Sequence, residues 1–271
     1  MTLRFRTLAA IMMAASTVLT GCQLFSSRQP AIHRWSGPVG DLRAHWSAQP
    51  GIDLLNGPAV PLRAYIESRW LAQWAGSLDY AYPGFTDAVP PNDEGTSTIG
   101  AGQRRPSVET HLTSPLIGNE QFHILSVNGS GRDVLATICN YTYSVSKRND
   151  DGTYFSVASK AVREPRGIYA EQVSLIAPAE QAQPPLPPQE GPATSSDADV
   201  FGGWTVTGSL SSISTDRPGF ANAWPTYDAD TQSCVDQAPD PPARIAFLIN
   251  GNHPRDEFPT SPASPGWPEK E

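Results

Sequence analysis

Few residues of this chain combine the type and the spacing that chemistry needs. The five histidines, His33, His45, His111, His123 and His253, are never two, three or four positions apart, so no histidine pair is spaced to grip a metal. Asp228-Ala229-Asp230 opens like a calcium loop. However, Ser233 stands where the turn needs glycine, and Pro239 where the closing glutamate belongs. Ser144-Val145-Ser146-Lys147 has the spacing by which a lysine activates a serine, but it ends a predicted strand instead of starting a helix. No nucleophile elbow and no phosphate loop are present. The remaining candidates for acid–base work are Glu171 and Asp133 on predicted strands, and His123; each would need a pocket that shifts its pKa. The expectation is therefore no catalytic set, no metal and no cofactor.

The cysteines are more informative. Arg4 and Arg6 precede an apolar run, Leu8 to Leu19, and then come Thr20, Gly21 and Cys22. A run of about a dozen residues spans roughly 18 Å, short of a bilayer core of roughly 30 Å, so it reads as a secretory signal and not as a membrane span. Leu19-Thr20-Gly21-Cys22 resembles the lipobox of bacterial lipoproteins. That resemblance implies cleavage after residue 21, an S-diacylglycerol and an N-palmitoyl group on Cys22, and a protein held by acyl chains on the outer face of the cell membrane. Cys139 and Cys234 then remain, and an exported chain with two cysteines reads as one disulfide.

Removal of the signal takes the formal charge from −8 to −10, because Arg4 and Arg6 leave with it and no acid does. Such acidity speaks against nucleic acid and against electrostatic docking to anionic lipid. The 27 prolines and 22 glycines demand much loop. This composition, taken with the lipobox, is similar to that of exported lipoproteins of actinobacteria, mycobacteria in particular.

The elements that would position any site follow from periodicity. Leu62, Ile66, Trp70 and Trp74, widened by Tyr65 and Leu71, predict a helix over about 61–75, with Arg63, Glu67 and Gln73 off its apolar stripe and Gly76 as its stop. Strands are predicted over 121–127, 133–145, 153–158, 167–176 and 204–213. Along 133–145, Leu135, Thr137, Cys139, Tyr141 and Tyr143 share one face, and Val134, Ala136, Ile138, Asn140 and Thr142 the other. Helices return near 225–238 and 243–249. The predicted organisation is a signal (1–21), a lipidated tether and lead-in (22–58), and one α+β domain (59–251). The domain carries an exposed, disordered, partly polyproline insertion near 178–199, and an extended tail (252–271) follows it.

One helix followed by antiparallel hairpins, with Gly203-Trp204-Thr205-Val206 as a late strand, resembles the curved cone of the NTF2-like superfamily. The resemblance implies a pocket between helix and sheet. Tyr141, Tyr143, Tyr169 and Trp204 would line it for an apolar ligand, or else fill the core. The expected function is a membrane-anchored, non-catalytic binding or interaction module of the cell envelope, its protein or apolar partner unidentified. The alternatives are an NTF2-like pocket enzyme of cyclase or isomerase type, and a lipid carrier.

Overall fold

A computed structural model describes residues 34–269 apart from 94, 96–98, 162–164 and 180–185. The signal, Cys22 and the first part of the tether lie outside the described residues, so the structure does not bear on them.

Among the described residues seven strands form one sheet, β1 (Asp41–Ala48), β2 (Leu116–Ser130), β3 (Asp133–Tyr141), β4 (Val145–Arg148), β5 (Tyr154–Ser156), β6 (Ile168–Ile176) and β7 (Thr205–Ser211). Pairing is antiparallel except that β1 runs parallel to β2. The long predicted strand 133–145 is two strands with a kink between them. Gln121 faces Tyr141 and Gly118 faces Val145, so β3 and β4 follow one another along one edge of β2 with one extra residue on their side. Such a bulge bends the sheet. Gly118 makes the bend feasible: its φ is +109°, and a Cβ there would run into the Ser144 carbonyl.

Among the described residues five α-helices accompany the sheet: α1 (Ala59–Ala75), the one-turn α2 (Phe85–Ala88) and α3 (Phe220–Ala223), α4 (Tyr227–Asp236) and α5 (Pro242–Ile249). The helix α1 ends at Gly76 in the left-handed region, as its sequence predicts. The alternation along β3 sorts the two cores. Ala136 and Ile138 join Leu62, Ile66, Phe122, Val173 and Val206 on the α1 face. Cys139 and Tyr141 join Cys234, Leu210, Leu248 and Phe258 on the face of α4 and α5. The α+β class therefore holds, with helices on both sides of the sheet.

Three boundaries differ from expectation. Residues 41–48 are no tether: Leu42, Ala44 and Trp46 alternate into the α1 core, and Trp46 stacks on Phe122 at 4.5 Å. The tail from 252 is extended but docked. His253 exchanges backbone hydrogen bonds with Tyr154 (2.7 and 2.8 Å), Ser264 bridges to the outer edge of β1, and Trp267 is buried. It thus covers an open edge at β1 and at β5 that would otherwise present unpaired backbone. Within the described part of the 178–199 segment, Pro187, Pro188 and Glu190 are exposed as expected, but Gln189 is buried and Ala193 pairs with Trp267.

The docked tail explains the largest departure on α1. Arg63 and Glu67, off the apolar stripe, are 0% and 2% exposed. The Arg63 guanidinium donates to the carbonyls of Leu54 (3.0 Å), Gln189 (3.3 Å), Pro265 (2.8 Å) and Gly266 (3.3 Å), and lies 4.4 Å from the Trp267 ring centroid. Glu67 accepts from the indoles of Trp46 (2.8 Å) and Trp267 (2.9 Å) and from the Tyr82 hydroxyl. The helix has a second buried face because a distant segment closes over it.

Candidate functional site

The α1 face of the sheet changes character along its length. Phe122, Ile124, Ile138, Val173 and Leu175 make it apolar at one end. Toward the start of β6 the same parity brings Glu120, Asn140, Tyr169, Glu171, Ser209 and Ser211 to that face: Asn140 stands opposite Phe122 on one side and Tyr169 on the other, and Glu171 opposite Ser211. Arg69 of α1 meets this row. Its guanidinium lies 3.1 Å from the Glu171 carboxylate, which also accepts from the Ser209 hydroxyl at 3.0 Å. Burial raises the neighbouring Tyr65 phenol to about 12, and its hydroxyl donates to the Arg104 carbonyl at 2.7 Å.

Next to this satisfied pair lies an unsatisfied one. Glu120 is 2% and Asn140 1% exposed. One carboxylate oxygen of Glu120 and both amide atoms of Asn140 have no hydrogen-bond partner among the described residues. Each such group costs about 1–3 kcal/mol. Desolvation pushes the Glu120 carboxyl well above the usual carboxylate range. Burial, and then the nearby Glu120 and Glu171, push the Tyr169 phenol well above its ordinary value.

At this end of the sheet a cleft of about 960 Å³ opens between the start of β6, the turn after β7, α3 and the first turns of α4. Ile168, Ile213, Phe220 and Trp224 give it apolar walls, and Tyr169 and Thr142 stand in its lining. Ile213 is 71% exposed, although an isoleucine gains most from burial. The aromatic wall is rigid: Phe220 and Trp224 each pack edge-on against Tyr227 at 5.1 Å, and the Trp224 indole donates to Asp230 at 2.7 Å. Among the described residues no group of three His, Cys, Asp or Glu side chains could hold a metal ion.

The four aromatics expected to line one pocket are divided. Tyr141 and Tyr143 fill the α4–α5 core, and the Tyr141 hydroxyl donates to the Cys234 carbonyl at 3.0 Å. Tyr169 borders the large cleft, and Trp204 a separate one of about 280 Å³ with Val60, Phe201 and Leu186. Parity separates them, since Tyr141 and Tyr169 project from opposite faces. Cys139 and Cys234 form the disulfide, with Cα atoms 5.2 Å apart, pinning α4 to β3.

Of the three acid–base candidates, Asp133 is exposed beside the β2–β3 turn and Glu171 is held by Arg69. His123 takes the opposite face from Glu171. Its Nδ1 lies 2.8 Å from the Ser47 hydroxyl, its Nε2 is buried without a partner among the described residues, and burial lowers its pKa. Sequence reasoning missed Glu120. The alternation Glu120, Phe122, Ile124 could have found it, had the strand been started before residue 121. No family model matches this chain, and no curated protein or solved structure matches it either.

Proposed function

We propose that the protein is an extracytoplasmic binding module, anchored to the outer face of the cell membrane through acyl chains on Cys22, and that the cleft beside β6 is where it takes an apolar ligand. The observation that carries the reading is the exposed Ile213 on the rim of a preformed cleft whose aromatic wall is fixed by Tyr227 and Asp230. A volume of about 960 Å³ suits a lipid-sized molecule. The buried Cys139–Cys234 bridge is compatible with an oxidising compartment and so supports the address.

Two measurements test the two halves. Detergent phase partitioning of the wild type against Cys22→Ser tests the anchor, and a variant that still partitions sinks it. Binding of an uncharged apolar fluorophore tests the cleft: Ile213→Asp should weaken it about tenfold or more, and unchanged binding sinks that half.

A further inference from the structure

We propose that the cleft is one half of a longer groove that holds a single linear alkyl or acyl chain, which enters beside Ile213 and ends against α5. The inference deepens the binding-module reading and rests on it.

Three observations converge. First, a second cleft of about 530 Å³ adjoins the first, and Pro165 and Ile168 line both. Secondly, α4 supplies their common wall. Tyr227 and Thr231 line the first cleft and Val235 the second, at intervals of four residues, so the two lie end to end along one stripe of the helix. At about 1.5 Å per residue the stripe covers about 12 Å, and the second cleft runs on past the end of α4 to Ile245 and Ile249 of α5. A chain in one bilayer leaflet occupies about 15 Å, half of a hydrocarbon core of roughly 30 Å, so the groove has the length of one such chain.

Thirdly, the walls suit a chain and not a peptide. Pro165, Pro239, Pro241 and Pro242 of the second cleft carry no N–H to pair with a peptide backbone, and an alkyl chain asks for none. The acids Asp228 and Asp236 are exposed, so their charge stays in water at the rim. The chain then meets apolar wall along its length, and its head remains in solvent.

The test titrates octyl, decyl and dodecyl maltoside, each below its micellar concentration, by calorimetry. Affinity should rise about two- to fourfold for each added methylene up to dodecyl. Ala246→Trp, at an exposed position in the lining of the second cleft, narrows that half of the groove. It should leave octyl binding within about twofold and bring dodecyl down to the octyl level. Octyl binding also shows that the variant is folded, and the wild-type length series stands by itself if it is not. A wild type that binds octyl and dodecyl equally overturns the joined groove and leaves the first cleft standing. So does dodecyl binding that Ala246→Trp does not change. A wild-type dimer in sedimentation that Ile213→Asp disperses would assign the groove to a second copy of the chain, and the proposal falls. If none of the maltosides binds, the cleft reading falls with it.

Discussion

The Trp267 indole donates to the Glu67 carboxylate at 2.9 Å across 200 residues of sequence. It joins the C-terminal tail to the middle of α1, and Trp46 brings β1 to the same carboxylate. Three segments that share no local pattern meet at one buried acid. Replacing Trp267 with alanine deletes a fully buried ring and its cation–π partner for Arg63. It should lower stability by about 3–5 kcal/mol, and the tail should become sensitive to limited proteolysis. Trp267→Phe keeps much of the volume and loses the hydrogen bond, so it should cost less. Denaturant titration of the two variants measures the difference.

This acid also marks where local sequence stops being informative. The stripe Leu62, Ile66, Trp70 and Trp74 and the stop at Gly76 are local signals, and α1 follows them. Arg63 and Glu67 lie off that stripe, and nothing within a turn of them says that Trp267 and Gln189 will close over them. The strand β1 was hidden for another reason. Leu42, Ala44 and Trp46 do alternate, but Pro38, Gly40, Pro50 and Gly51 around them read as tether. Parity along β3 was legible and sorted the two cores correctly. The same rule separates Tyr141 from Tyr169, because which face a strand residue takes depends on register across the ladder as well as on its own count. The cleft lies between β6, α3 and α4, which are distant in sequence, so no single segment announces it.

The Cys139–Cys234 bridge closes a separation of 95 residues. In the chain-entropy account such a closure stabilises by about 4–5 kcal/mol. The double variant Cys139→Ala, Cys234→Ala should lose about that much, read from calorimetric unfolding. Hydrogen exchange should show α4 opening more than α1, because the bridge pins α4 to β3 and has no part in the α1 core.

The bend at Gly118 is an obligatory glycine. Alanine there would have to hold a φ of +109° and displace the Ser144 carbonyl. Gly118→Ala should cost about 1–3 kcal/mol for the backbone alone, with more from the collision. Gly131, at the tip of the β2–β3 turn with open space around it, is the control. Gly131→Asn should be nearly neutral, since asparagine tolerates the left-handed region. Thermal melts of the two variants rank them.

The contribution of Glu120 to stability should fall as pH rises from mildly acidic values. Burial raises the Glu120 carboxyl well above its ordinary 4.5, so the folded chain holds this proton more tightly than the unfolded chain does. The contribution is complete below about 4.5 and is lost as pH climbs through the raised folded value. Desolvation shifts Glu67 in the same direction. Glu120→Gln should be more stable than wild type at neutral pH, and the residual slope combines Glu67, which acts in the same direction, with His123, whose lowered pKa adds stability as pH rises. Denaturation of wild type and Glu120→Gln at a series of pH values checks the sign, and an advantage of the variant that shrinks as pH rises contradicts it.

The Arg69–Glu171 pair should behave asymmetrically to single and double substitution. Arg69→Met leaves the Glu171 carboxylate, 2% exposed, with only the Ser209 hydroxyl at 3.0 Å, and should cost about 3–5 kcal/mol. Replacing both partners, as Arg69→Met with Glu171→Leu, removes the uncompensated charge. It should recover much of that loss, because two apolar groups at an interface between helix and sheet need no partner.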